Sequence, residues 1–428
     1  MLISGTRSRR IVAPHHPLWF FTGAVPPWRR CALVCDPRRR LAEAVKQLKQ
    51  QAISALPADL ANPARAANQL HLNYSIPVAA PQLRTAGAIP FSLPYNSQNW
   101  RRDNGTVTKL GGDIGFGWGW RMQAGSLTPV WQNANTFLYW IFTDPTGAEY
   151  RLDTYAGGKW PSKDGLYATY EPATDKLCFN DGSHWLMTVV SAANEADAGT
   201  RYSQWITHKN GNYLTIQYGP AIGKPYYNVN TSARVTVINY SNRTIQFNYN
   251  TDAIPHLTST SGSDPALATL TYGAATTLTD PFTGAGYGSV VWLATHARKN
   301  TTLTTSFVYN GSAELTKVTM PYGGELQWDQ ATFTYVNSVQ FREVSARRLV
   351  KSAGASAVTY NLTRDGGDAS QPMHTRLTLT DTGSGAVKDW YFSSANDYTR
   401  GYVTQFDERG VAARCCGGRS MFTRAMRT

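Results

Sequence analysis

Asn212-Tyr213-Leu214-Thr215-Ile216-Gln217-Tyr218 and, a little further on, Arg243-Thr244-Ile245-Gln246-Phe247-Asn248-Tyr249 decide the reading of the fold. In the first, Leu214, Ile216 and Tyr218 point one way while Thr215 and Gln217 point the other. In the second, Ile245, Phe247 and Tyr249 alternate with Thr244, Gln246 and Asn248, and Arg376-Leu377-Thr378-Leu379-Thr380 repeats the pattern. A period of two lays one face of a strand on a core and leaves the other polar. Between such segments stand Asn104-Gly105, Asp164-Gly165, Asp181-Gly182, Asn210-Gly211, Asn310-Gly311 and Asp365-Gly366, pairs suited to the positive φ of two-residue hairpin loops. No clear helical stretch interrupts them, which disfavours parallel βαβ units. The expected fold class is all-β: an extended antiparallel sheet of successive hairpins.

A looser repeat overlies this pattern. A turn centred on Asn or Asp with Gly precedes alternating apolar residues and often a closing Tyr, as from Asn210-Gly211 to Ile216 and Tyr218. The turns at Gly147, Gly182, Gly211 and Asn242 fall about 30 residues apart, a unit too small to bury an apolar face without stacking on neighbours. The β-region is longer than one compact core usually fills, so an extended, curled or hollow sheet fits better than a sandwich.

Charge divides the chain of 428 residues into three. Residues 1–65 carry 11 Lys and Arg against 3 Asp and Glu; 411–428 carry four Arg and no acid; 66–410 carry 26 basic and 25 acidic residues. The expected organisation is a basic, irregular head (1–65) with one amphipathic helix at about 41–56, a β-region (66–410) and a basic tail without periodicity (411–428). Both ends read as foreign to the fold, as a misassigned start and a truncation or frameshift would make them. A nearly neutral middle argues against nucleic acid as a partner, which needs basic residues clustered on the folded surface. No apolar run is long enough for a membrane-spanning helix. Residues 11–21, broken by prolines and histidines, match a secretory signal poorly. Only Cys178 lies in the β-region, which excludes a disulfide-stapled core there; Cys31, Cys35, Cys415 and Cys416 read as incidental thiols.

Charged residues make up 16% and aromatic residues 12% of the chain, well below and above ordinary use respectively. No nucleophile elbow, phosphate-binding loop or zinc helix is present. His184 near Asp181, and His208 beside Thr207, come closest to a catalytic partnership. A secreted β-rich glycoside hydrolase would draw acids from Asp103, Asp113, Glu149, Asp153 and Glu171 and sugar-stacking rings from Trp100, Trp118, Trp120 and Trp160. Acids beside glycine mostly serve turns, however, and tryptophans at strand spacing mostly serve cores. A carbohydrate-binding or adhesive surface without chemistry is the other alternative. The expectation is no enzyme, no catalytic or metal residue and no cofactor.

Three stretches carry a family resemblance. HLNYSIPVAAPQLRTAGAIPFSLPYNSQNW (71–100) contains Tyr95-Asn96-Ser97; GFGWGWRMQAGSL (115–127) contains Gly117, Gly119 and Trp120; FVYNGSAELTKVTMPYGGELQW (307–328) contains Asn310-Gly311 and Gly323-Gly324. In content and order these resemble the opening and first repeat of RHS-repeat (YD-repeat) proteins. Gly-Arg-Gly often precedes the Tyr-Asn-Ser segment in that family; here the sequence reads Thr85-Ala86-Gly87-Ala88. The resemblance implies a segment of a curled β-shell, before or at the start of the repeats, in a bacterial secreted or surface-associated effector. It also implies a partner: a C-terminal cargo or toxin, absent from this chain, that the shell encloses or presents. Cell-surface glycans are the partner in the adhesive alternative. Asp144-Pro145-Thr146-Gly147 superficially resembles the family's self-cleavage motif but reads as an ordinary turn, Pro at its second position.

Overall fold

The structure is a computed structural model that describes residues 72–410 apart from 84–86, 90, 123, 134, 146–148, 163–165, 264–266, 366–373 and 395–402. The head with its expected helix at 41–56, the tail 411–428, and the Asp164-Gly165 pair, Thr146, Gly147 and Gly366 (wholly or in part) lie outside the described residues.

The described chain is all-β, and its dominant feature is a 21-stranded antiparallel sheet. The sheet begins at Trp160–Pro161 and Ala168–Glu171 and proceeds almost strictly in chain order to Val403–Arg409. Two excursions leave it. Val189–Val190 and Arg201–Tyr202 join Ser126–Asn133, Thr136–Thr143 and Glu149–Leu152 in a five-stranded sheet, and Thr276–Thr279 pairs with Gly286–Val290 as a separate hairpin. The hairpin of Trp100–Asp103 and Thr106–Lys109 attaches to the long strand Gln340–Val350 at Gln340 and Phe341.

The alternation read in the sequence places the core. Leu214, Ile216, Tyr218, Ile238, Ile245 and Phe247 are buried on one face, with Thr215, Gln217, Thr244, Gln246 and Asn248 on the other. Each fully buried aliphatic or aromatic side chain contributes about 1.5–3 kcal/mol, so slipping any strand by one residue is prohibitive. The apolar face is covered by the chain's own beginning. The paired strands Asn73–Ala79 and Phe91–Asn96, followed by Ile114, Phe116, Trp120 and Met122, pack against sheet residues from Ile206 to Val344 in one continuous core. Along this stretch the expected hollow is therefore filled. The opposite face carries cross-strand polar pairs, among them Thr244 to Asn239 (2.9 Å), Asn248 to Ser259 (3.2 Å) and Thr271 with Thr295 (2.6 Å).

The closing tyrosines form a ladder. Tyr218, Tyr249, Tyr272 and Tyr309 each end an inward-facing row, and at each the register with the next strand shifts by a bulge. Beyond the bulge they oppose Val235, Leu257, Leu293 and Leu315, all fully buried. Three hydroxyls reach back to the first residue of the preceding strand, Tyr249 to the Val235 carbonyl (2.9 Å), Tyr272 to Leu257 (2.9 Å) and Tyr309 to Leu293 (3.0 Å), and Tyr218 reaches Ser203 (3.0 Å), just before its preceding strand. Burial holds all four phenols above their ordinary value, so they stay neutral donors.

The turns need a correction. Asn104-Gly105 is the expected two-residue loop, both residues having positive φ; Ser241-Asn242 is a second, without a glycine. At Asp181-Gly182 and Asn210-Gly211 only the glycine is left-handed, and its N–H bonds the carbonyl three residues back in a longer turn. At Asn310-Gly311 neither residue has positive φ. The Asn310 side chain accepts the Ser312 and Glu314 N–H groups, both at 3.0 Å, and Ala313 takes the left-handed conformation. An amide side chain that satisfies the loop's backbone removes the need for a tight primed turn.

Replacing Tyr249 by Phe leaves the Val235 carbonyl without that donor in the core. The expected loss is about 1–3 kcal/mol, read as a lower urea midpoint at unchanged m-value. Tyr322→Phe, 83% exposed at a hairpin tip, is expected to stay within about 0.5 kcal/mol of the parent protein.

Candidate functional site

The signature residues are scattered over more than 200 positions of sequence, and the sheet brings most of them to one buried node. Tyr95 is its centre. Its hydroxyl donates to the Ala313 carbonyl (2.9 Å) and accepts from the Leu315 N–H (3.0 Å) and the Asn99 amide (3.3 Å), so a residue of the covering segment satisfies the loop that follows Asn310. Desolvation pushes the Tyr95 phenol up, against the Leu315 N–H and Asn99. The Asn96 N–H bonds the Gly119 carbonyl (3.4 Å), and Ser97 exchanges two hydrogen bonds with Leu72 (2.7 and 2.9 Å). The Trp120 indole packs on Tyr95 and Phe307, with ring centroids 5.4 and 5.0 Å apart, and donates to the Tyr309 hydroxyl (2.7 Å). That contact ties the covering segment to the tyrosine ladder.

Gly117 and Gly119 are glycines for two reasons. Both have positive φ, and a Cβ would come within 2.6 Å of the Leu293 nitrogen at Gly117 and 2.8 Å of the Tyr95 ring at Gly119. Gly311 accepts the Thr279 N–H (3.0 Å) through its carbonyl. Gly323 and Gly324 lie elsewhere, in the turn between Leu315–Thr319 and Glu325–Thr334, where the Gly323 N–H closes on Met320 (2.9 Å).

Around the node lie buried charges that the sequence reading did not single out, apart from Asp113. Asp113 accepts the N–H groups of Gly115 (2.9 Å) and Gly117 (3.2 Å) through one oxygen, and its other oxygen lies 2.8 Å from His256 Nε2. Burial alone would lower the His256 imidazole, but the hydrogen bond and charge of Asp113, helped by Asp252, outweigh it and hold the imidazole above its ordinary 6.5. Arg234 grips Glu195 through two bonds (2.6 and 3.0 Å) and also donates to Pro220. Glu314 is held by Arg342 (2.7 and 2.9 Å) and by Asn310 (2.7 Å). Glu343, wholly buried, meets Tyr335, Arg364 (3.1 Å) and His374 (3.4 Å). Each carboxylate is buried, Glu343 in a strand and the others in loops, with a cation or donors at hand, which suits fixing the packing of segments more than turning over a substrate. A signal existed for one of them: Glu343 shares the inward parity of Phe341 in a chain otherwise poor in charge.

Of the five acids weighed for hydrolysis, Asp103 has Arg101 (2.6 Å), Asp153 has Arg151 (3.6 Å) and Glu171 has Lys159 (3.3 Å) as separate local partners, Asp113 has the remote His256, and Glu149 begins an edge strand of the five-stranded sheet. Trp100, Trp118 and Trp120 are buried in cores, and Trp160 is half-buried. Asp181 caps its own turn through Ser183, His208 contacts Asn210 (3.3 Å), and His184 sits in strand register with Cys178 and Thr207. Among the described residues no group of His, Cys, Asp and Glu is arranged to hold a metal ion, and no helix is long and apolar enough to cross a membrane.

The class these features define is a hairpin-built β-scaffold whose apolar face is sealed by its own leading segment. No family model matches the chain, and no curated protein matches it. Among solved structures it is similar to the N-terminal domain of the effector protein SpvB from Salmonella typhimurium strain LT2, at 12% identity and TM-score 0.25, covering 65% of this chain and 98% of that one. It is also similar to TcdB2-TccC3-Cdc42 (10% identity, TM-score 0.25, 76% of this chain and 18% of that one) and to TcdB2-TccC3 (12%, 0.23, 80% and 20%). The chain thus spans about a fifth of the length of these two larger chains. Likeness at this level is coarse and assigns this chain no activity.

Gly117→Ala combines left-handed strain of about 1–2 kcal/mol with a backbone collision and is expected to destabilise by more than about 2 kcal/mol. Gly157→Ala, at φ +56 with nothing within 4 Å, is expected to show the strain alone in the same urea titration. The raised His256 imidazole contributes stability that is full below about pH 6.5 and is lost as pH rises through its folded value. The stability gap between the protein and its His256→Gln variant should therefore narrow as pH rises from the ordinary imidazole value of 6.5 through the higher folded one.

Proposed function

We propose that this chain is a non-enzymatic structural segment of an RHS-type β-shell, from a secreted or surface-associated effector whose cargo is encoded elsewhere. The observation that carries the reading is the Tyr95 node: the Tyr-Asn-Ser, Gly-x-Gly-Trp and Asn-Gly segments, which resemble that family in content and order, are bonded to one another through the Tyr95 hydroxyl, the Gly119 carbonyl and the Trp120 indole. Motifs that close a fold upon itself suit a scaffold. Asp103, Asp153 and Glu171, bound to local partners, and Trp100, Trp118 and Trp120, placed in cores, favour the same reading over glycoside hydrolysis.

The mechanism would be enclosure. A wall of continuous backbone hydrogen bonds excludes proteases, because cleavage requires local opening of paired strands. Its Thr, Asn and Gln face offers a partly unfolded cargo hydrogen bonds without apolar anchors. That is the face the leading segment leaves free; the apolar one is occupied.

The test reads the DNA beyond the last codon of this chain and purifies the protein from its native source. Expected are further Tyr- and Asp-containing repeats followed by a variable cargo that resists trypsin until urea unfolds the wall. A native polypeptide with no further repeats would overturn the proposal, as would a cargo cut equally fast with the wall folded or unfolded.

A further inference from the structure

The segment Tyr155-Ala156-Gly157-Gly158-Lys159-Trp160 makes a small finger. Both glycines have positive φ, Ala156 and Lys159 exchange two backbone hydrogen bonds of 3.0 Å, and the Tyr155 and Trp160 rings are brought to 5.0 Å. Trp160 lies 5.3 Å from Phe137, and Phe137 lies 5.2 Å from Trp131, its register partner in the five-stranded sheet. Four rings thus run in contact across two strands and the finger, and the strip ends on open surface, Trp131 at 47% and Tyr155 at 61% exposure. Exposed single aromatics are ordinary, but a contiguous row fixed by a sheet and a tight turn is a surface with its ordering cost already met.

We propose that this strip binds a neutral polysaccharide. Among the described residues of the two strands and the finger, Lys159 is paired with Glu171 (3.3 Å) and Arg151 with Asp153 (3.6 Å), which leaves these cations poorly placed to select a polyanion. Among the described residues of 126–171 the large exposed apolar side chains are Trp131, Tyr155 and Tyr167, all aromatic. A lipid surface would engage aliphatic residues and a basic face as well. Rigid exposed rings complement a pyranose instead, whose C–H face stacks on a ring while its hydroxyls stay in water. The strip lies off the Tyr95 node, and the inference does not rest on the enclosing role.

The experiment passes the whole chain over cellulose, chitin and starch, over heparin-agarose, and through flotation with phosphatidylcholine vesicles. Expected is retention on at least one neutral polysaccharide, unchanged by salt and weakened about tenfold or more by Trp131→Ala with Tyr155→Ala. Tyr322→Ala, an exposed ring on a distant hairpin, should leave retention intact. Tyr155→Leu, which keeps apolar area but no plane, should weaken it as Tyr155→Ala does and covers the event that the double variant fails to fold. Retention on none of the neutral polysaccharides, binding to heparin or vesicles alone, or full retention by Tyr155→Leu would overturn the proposal.

Discussion

A tyrosine hydroxyl carried into a β-sheet core must find an acceptor, because an unpartnered phenol and an unpartnered carbonyl each cost free energy there. The sheet turns that constraint into its organising bond. At Tyr249, Tyr272 and Tyr309 a bulge disturbs the backbone ladder with the next strand, and the ring reaches the other way, to the first carbonyl of the preceding strand. Each such bond locks one hairpin to the next in a defined register. Tyr95 performs the same service from outside the sheet, and Trp120 joins the two systems at Tyr309. Sealing the apolar face and fixing the strand order are therefore one act.

The buried ion pairs act in the same direction. In a chain with so few charges, Glu195 with Arg234, Glu314 with Arg342 and Glu343 with Arg364 are placed where both members are shielded from water or nearly so. Such pairs seldom add much net stability, but removing one partner strands the other. They penalise alternative registers that the repeated hairpins would otherwise tolerate, since successive strands of similar Thr, Asn and aliphatic content resemble one another closely. Glu314, held by both Asn310 and Arg342, links the signature turn to the long strand Gln340–Val350.

Strand parity was legible wherever one face is buried, because a period of two follows from the pleat alone: Leu214, Ile216 and Tyr218 read the same way in both views. The recurring closing tyrosine was legible as a pattern, though not as a bond, since its acceptor is some fifteen residues back, at the far end of the preceding strand. Turn geometry was half legible. Asn-Gly marks a turn, but whether glycine or a later residue takes the left-handed conformation depends on what the Asn310 side chain can cap. For the buried charges, His256 included, little beyond the inward parity of Glu343 could be read, because their partners lie on strands remote in sequence. The node itself was visible only as three motifs in order.

The amino-acid sequence by itself determined that this protein is an all-β chain of successive antiparallel hairpins with a neutral, aromatic-rich middle, because alternation and turn chemistry are local properties. Only the tertiary structure decided that Asn73–Ala79, Phe91–Asn96 and the described residues of 114–122 cover the sheet, that Tyr95 meets Ala313 and Leu315, and that Trp131, Phe137, Trp160 and Tyr155 make one surface. Those contacts join residues up to 220 positions apart, and their geometry is set by the accumulated register and bulges of every strand between them.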